Sequence, residues 1–233
     1  MDEREWNRAD ADARIRIFTP TMELPFAGHP TLGTAIVLAA ESGRSVVRLE
    51  TAMGVVPVRL TTGAGPAPFG RMLQPLPRAA PFPAPEALLS ALGVARSTLP
   101  VDHYDNGPSY AYVALESAAE VASLRPDFAR LAALGTTAFS VFAPAGDRFR
   151  ARVFAPGEGI DEDPATGAAA GPLALHLARH GRIRFGDEIV IEQGVEIGRP
   201  STLYARVVGD AARLEEVEVS GHSVVVGRGE FAF

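Results

Sequence analysis

A chain of 233 residues, 47% hydrophobic and 21% charged, is long enough for one large or two small globular domains with a sizeable core. Its net charge of -6, with no block of arginines beside the aromatics, excludes a nucleic-acid surface. Cysteine and lysine are absent and all 22 basic residues are arginine, which excludes disulfides, thiolate nucleophiles, cysteine-bound zinc, Schiff bases and a P-loop lysine.

In chain order, residues 1–13 are charged, hold the lone tryptophan Trp6 and follow neither helix nor strand period, so a loose arm is expected. They do not form a signal peptide, and no apolar run approaches the roughly 20 residues of a membrane span; a cytoplasmic protein is expected. Residues 14–18 predict a strand, residues 31–40 a helix stopped by Gly43, and residues 46–49 and 55–60 alternating strands on that helix. Residues 61–70 are rich in glycine and proline, and residues 75–85 form a stiff proline-rich connector. These features divide the chain into domains at 1–85 and 86–233.

Beyond the connector, a helix over 86–92 stops at Gly93, Asn106-Gly107-Pro108 turns the chain, and 109–115 and 138–142 predict strands. Short helical patterns lie at 118–124 and 126–134, and a longer helix covers 165–179. Strands follow over 188–192, 202–208, 214–220 and 223–228, the last expected to return to the first domain.

One plan occurs twice. Ala27-Gly28-His29-Pro30-Thr31-Leu32-Gly33 and Glu162-Asp163-Pro164-Ala165-Thr166-Gly167-Ala168 each place a proton-competent residue, proline, two residues and glycine at the start of a helix. Upstream, Arg16-Ile17-Phe18-Thr19-Pro20 matches Arg152-Val153-Phe154-Ala155-Pro156; downstream, Leu49-Glu50 leading to Gly54 matches Ile191-Glu192-Gln193-Gly194. The offsets are 136 at the arginines, 134 at His29 and Asp163, and 142 at the glutamates, the signature of a duplicated unit. Two similar lobes should therefore face each other with His29 and Asp163 at the seam. Proline at the first helical position and aspartate as N-cap would leave unpaired N–H groups suited to an anionic ligand.

The motifs Glu23-Leu24-Pro25-Phe26-Ala27-Gly28-His29-Pro30, Asp163-Pro164-Ala165-Thr166-Gly167 and Gln193-Gly194 with Gly198-Arg199-Pro200-Ser201 carry a resemblance over nearly the whole chain from Ile15. It is to the PhzF family of phenazine-biosynthesis isomerases. The resemblance implies a diaminopimelate-epimerase-like α+β fold: two similar lobes, each a strongly curved, mostly antiparallel sheet around a central helix, with the site in the cleft between them. It also implies a homodimer, no cofactor, no metal, and a small-molecule carboxylate substrate, trans-2,3-dihydro-3-hydroxyanthranilate, in which a proton moves between carbons.

By the same resemblance, Asp163 and His29 are the catalytic pair, and Gly28, Gly167 and Ala168 surround the substrate. The chain departs from the pattern twice. The family's proton-carrying glutamate, in a Ser-Glu-Ser/Thr-x-Phe stretch, would fall before Met1 together with the first lobe's opening strand and helix, and Glu3, Glu5 and Glu23 are poor substitutes. Ala168 stands where a serine hydroxyl usually binds ligand. A catalytically impaired small-molecule-binding relative and an isomerase of altered substrate are the competing readings.

The remaining polar residues have structural readings. Asp163 could be a plain N-cap and His29 a helix-start histidine, while Glu23 would pin the loop before His29. Arg199 and Asn106 read as turn and packing residues. His176 and His180, four apart on one helix, have no evident third metal ligand and read as cations at a helix C-terminus. The loss of an outer strand would expose a sheet edge and favour association.

Overall fold

The computed structural model describes residues 10–61 and 67–230, which leaves Trp6, Glu3 and Glu5 outside the described residues. The first half contains β1 (Ala13–Arg14), β2 (Ile17–Phe18), β3 (Glu23–Leu24), α1 (Gly28–Ser42), β4 (Val46–Thr51), β5 (Gly54–Thr61) and β6 (Phe69–Leu73). The second opens with β7 (Arg78–Pro81), α2 (Pro85–Leu92), β8 (Asp102–Asp105), β9 (Ser109–Ala114), α3 (Ala118–Ser123) and α4 (Phe128–Ala132). It continues with β10 (Ala138–Ala145), β11 (Arg148–Ala155), a 3-10 turn at Pro156–Glu158, β12 (Ile160–Asp163), α5 (Gly167–Arg179), β13 (Glu188–Gln193), β14 (Ser201–Gly209) and β15 (Leu214–His222).

The fold is α+β: a 13-stranded, largely antiparallel curved sheet, with β2 and β3 forming a separate hairpin. The sheet passes without interruption from one half of the chain to the other, because β15 pairs antiparallel with β6, Val219 opposite Met72. At the far end, β7 pairs with β8.

The two halves of the chain share a strand register. In the first half β1 runs parallel to β4, with Ala13 opposite Leu49; in the second β11 runs parallel to β13, with Phe149 opposite Ile191. The sequence offsets of 136 and 142 carry the first pair onto the second. In each case the parallel connection passes through a helix, α1 or α5, as a parallel pair requires.

The helices differ in how far they are covered. Residues 167–178 of α5 are all buried, whereas α1 buries only Gly28, Thr31, Leu32, Ala35 and Ile36. α5 packs against β9, β13, β14 and β15, while α1 rests on β4, β5 and β6. On the opposite face of β9–β11 lies a second core of Leu88, Leu92, Val121, Leu131, Phe139 and Phe154, from α2 to α4 and the strands they cover. With both faces covered, β9 and β10 are near-continuous apolar runs rather than alternating ones.

Several sequence expectations shift. The strand expected at 14–18 divides: Ile15 N–H ends the pairing with β4 at Glu50 O, and a turn closed by Thr19 N–H to Met22 O folds β2 onto β3. The connector at 75–85 contains β7, an edge strand, where proline is tolerated. Residues 223–228 are not a strand. β15 already has β14 and β6 as its two neighbours, and Val226 is 94% exposed. The return to the first half is therefore made by β15.

Candidate active site

α1 and α5 meet start to start. A Cβ on Gly28 would lie 2.5 Å from both Ala168 N and Gly167 C, and one on Gly167 would lie 3.1 Å from Gly28 Cα. Only glycine permits this backbone approach. The two helix starts form one wall of a cavity of about 300 Å³ whose lining includes Gly28, His29, Asp163, Gly167 and Ala168. All five residues singled out in the sequence thus share one cleft. Among the described residues, the N–H groups of Gly28, His29 and Ala168 form no hydrogen bond.

Both helices begin elsewhere than expected. α1 starts at Gly28, so His29 and Pro30 belong to its first turn, where a missing N–H is harmless. α5 starts at Gly167 with Thr166 as N-cap, so Asp163 does not cap the helix and Pro164 is not its first residue. Asp163 instead ends β12, beside a one-residue register shift against β11, where Ala155 faces Ile160 but Val153 faces Asp163. Such a bulge re-aims a side chain.

A polar frame fixes the aspartate. Thr166 Oγ1 donates to Asp163 Oδ2 at 2.6 Å, leaving Oδ1 without a partner among the described residues. Gln193 Nε2 donates to the Asp163 carbonyl at 2.6 Å and to Thr166 Oγ1 at 2.9 Å, while Gln193 Oε1 accepts from Thr166 N–H at 3.1 Å. Behind it, Arg152 holds Glu162 in a bidentate pair at 2.9 and 2.7 Å and donates to the Val121 and Leu124 carbonyls. β12 is thereby fastened to the second core.

His29 is oriented from the opposite half. Its Nδ1 lies 2.9 Å from the Ala165 carbonyl, which can only accept, so Nδ1 carries a proton, and in the neutral imidazole Nε2 is the acceptor. The start of α5 is anchored from beneath: Gln74 Nε2 donates to Gly167 O at 2.8 Å, Asn106 Nδ2 to Ala168 O at 3.0 Å and Tyr112 OH to Ala169 O at 2.7 Å. Pro172 lies inside α5 and has no N–H for the Ala168 carbonyl four residues earlier. Asn106 replaces that missing donor, so its role exceeds that of a turn residue.

Three residues in the cavity wall were not read as functional: Arg199, Tyr110 and Glu158. Arg199 is exposed and also lines an adjoining hollow with His29 and Pro164; its guanidinium makes no ion pair among the described residues. Burial raises the Tyr110 hydroxyl pKa well above normal, with the nearby Glu158 and Asp163 carboxylates adding to the shift. Glu158 is raised by burial first and by Asp163 second. No sequence signal marks Pro156-Gly157-Glu158 as other than a surface turn. Glu23 is bonded to Arg16 at 2.9 and 2.8 Å on the exposed β2–β3 hairpin, the pinning role expected of it.

The expectation for His176 and His180 changes. Asp102 is the third ligating group the sequence did not show: His180 Nε2 lies 2.9 Å and His176 Nδ1 3.8 Å from its Oδ2. His176 is wholly buried and also meets Tyr104 OH at 3.2 Å. Burial, then His180 and Arg179, depress its pKa to about 3, so it is a neutral core residue rather than a helix-end cation. None of these residues lines the cleft.

The architecture is shared with solved structures. It aligns at a TM-score of 0.60 with a hydroxyproline epimerase of Agrobacterium vitis, at 17% identity over 91% of this chain and 68% of that one. A phenazine biosynthesis protein of the PhzF family from Bacillus anthracis aligns at 0.75, with 23% identity over 89% and 76% of the two chains.

The chain belongs to the phenazine biosynthesis-like family, PhzC-PhzF, whose profile matches residues 4–229. It is 51% identical over 220 residues to the trans-2,3-dihydro-3-hydroxyanthranilate isomerase of Pseudomonas aeruginosa, covering 94% of this chain and 79% of that protein. It is 50% identical to the enzyme of the same name from Pseudomonas chlororaphis, covering 94% and 78%. Among the described residues no helix is long and apolar enough to cross a membrane.

Proposed function

We propose that this protein isomerises trans-2,3-dihydro-3-hydroxyanthranilate, or a similar small cyclic amino acid, by moving a carbon-bound proton without a cofactor. The observation that carries the reading is the convergence of His29 and Asp163, one from each half of the chain, on one cavity. Relatives about half identical to the chain are named as that isomerase and give no support to a catalytically impaired binder.

The residues divide the work. Asp163, held by Thr166 and Gln193, takes the proton from carbon through its free Oδ1. Charge then develops on the conjugated system and the substrate carboxylate, where the helix-start N–H groups and Arg199 supply fixed positive potential. Nε2 of His29 offers an acceptor for the substrate's amino or hydroxyl group. Ala168 presents a methyl group to the cleft and makes no side-chain hydrogen bond to ligand.

Incubating the protein with trans-2,3-dihydro-3-hydroxyanthranilate and following product by absorbance and NMR tests the reading. Turnover supports it. Tight binding of the substrate with no conversion would instead establish a binding protein.

A further inference from the structure

Three tyrosines, Tyr104 of β8 with Tyr110 and Tyr112 of β9, share one face of the sheet and are buried in the same core as α5; Tyr104 lies directly opposite Tyr110. A buried phenol ordinarily finds a protein partner for its hydroxyl. Tyr104 OH meets His176 Nδ1 at 3.2 Å, and Tyr112 OH donates to the Ala169 carbonyl at 2.7 Å. Tyr110 is only 5% exposed, yet its hydroxyl makes no hydrogen bond among the described residues.

What Tyr110 borders instead is the cleft. It lines the cavity that His29 and Asp163 share, on a floor laid by the sheet: Tyr110 of β9 lies opposite Ala138 of β10, and Val153 and Ala155 come from β11. Of those four side chains only Tyr110 carries a polar atom. Burial, and then the Glu158 and Asp163 carboxylates, hold its hydroxyl pKa well above normal, so the group stays an O–H donor.

A single donor set in an apolar floor is matched to one kind of ligand atom. A ring can lie against Ala138, Val153 and Ala155. The carboxylate of a cyclic amino acid is met by the helix-start N–H groups and Arg199, and its protonated amino group has no lone pair to offer a donor. The acceptor left for Tyr110 is a hydroxyl oxygen on the ring.

We infer that Tyr110 determines specificity in the cleft by donating a hydrogen bond to the ring hydroxyl of the substrate, so that a hydroxylated cyclic amino acid is selected over the same acid without the hydroxyl. The inference rests on the isomerase reading and narrows its substrate class. Tyr110 binds and orients the ring and takes no part in the proton transfer. An analogue without the hydroxyl leaves a desolvated donor unpaired, which is the basis of its rejection.

Titration calorimetry of wild type and Y110F with 3-hydroxyanthranilate and anthranilate, stable aromatic acids with and without the hydroxyl, tests the assignment. Wild type is expected to bind the hydroxylated acid about tenfold more tightly than anthranilate. Y110F is expected to bind the hydroxylated acid about tenfold more weakly than wild type does, to bind anthranilate within about threefold of wild type, and so to lose the preference. Y110F should melt with wild type, because no protein hydrogen bond is removed, whereas Y112F loses the bond to Ala169 and should melt lower. A preference that survives in Y110F, an equal loss for both acids, or melting as low as that of Y112F overturns the assignment, and wild-type turnover of trans-2,3-dihydro-3-hydroxyanthranilate would then leave the isomerase reading intact. A wild-type chain that binds neither acid and converts no substrate overturns both.

Discussion

The imidazole of His29, on the first turn of α1, donates through Nδ1 to the carbonyl of Ala165, just before α5, across 2.9 Å. This bond joins the two halves of the chain and fixes which ring nitrogen is engaged by the backbone. Replacing His29 with Asn or Ala should lower kcat by about 10²- to 10⁴-fold, the usual contribution of a positioned acid/base group. Nitrogen NMR of the imidazole should show the Nδ1–H tautomer in the free protein.

Gly28 should tolerate no side chain. The Cβ of alanine would strike backbone atoms of Gly167 and Ala168, which cannot rotate away. G28A is expected to lose about 1–3 kcal/mol of stability and to lower activity by separating the helix starts. Urea midpoints and kcat/KM measured on the same preparation check both effects.

Arg199 should act on binding. R199Q is expected to raise KM about ten- to hundredfold with little change in kcat, the cost of one charge-assisted hydrogen bond to a carboxylate. An unchanged KM would return Arg199 to the turn role suggested by its sequence.

Asn106→Ala should leave the Ala168 carbonyl without the donor that compensates for Pro172, costing about 1–3 kcal/mol in urea unfolding. Adding P172A restores a backbone N–H four residues on. The double variant should therefore be more stable than N106A.

Acid should destabilise the fold through His176. Its native pKa of about 3 lies below the usual 6.5, so the unfolded chain binds a proton that the native core refuses. The stability it contributes is present above about 6.5 and is lost as pH falls towards 3, a loss on the order of 5 kcal/mol. Urea midpoints across that range should fall accordingly, and H176Q should flatten the dependence.

The sequence reveals what depends on local pattern or on the internal repeat. The offsets 136 and 142 relate the register of β1–β4 to that of β11–β13, and the two Gly-containing motifs point to the cavity that His29 and Asp163 both line. Helix starts are less visible because both prolines occupy positions where lost N–H groups are harmless, which leaves Gly28 and Gly167 equally good beginnings. Glu158 is hidden for another reason. Pro-Gly-Glu-Gly reads as a solvent turn, and what covers it, α4, β10 and Thr21 137 residues away, comes only with tertiary packing. Gln74 and Asp102 likewise gain their roles from α5, whose burial by β9, β13, β14 and β15 is a tertiary event.

The central claim is that His29 and Asp163 serve one proton-transfer centre. A double-mutant cycle on the rate of carbon-bound deuterium incorporation from heavy water, with H29N, D163N and the combined variant, tests it most directly. The account predicts strong non-additivity, with the double variant scarcely slower than the slower single one. Losses that multiply independently, or a D163N variant exchanging at the wild-type rate, would contradict it.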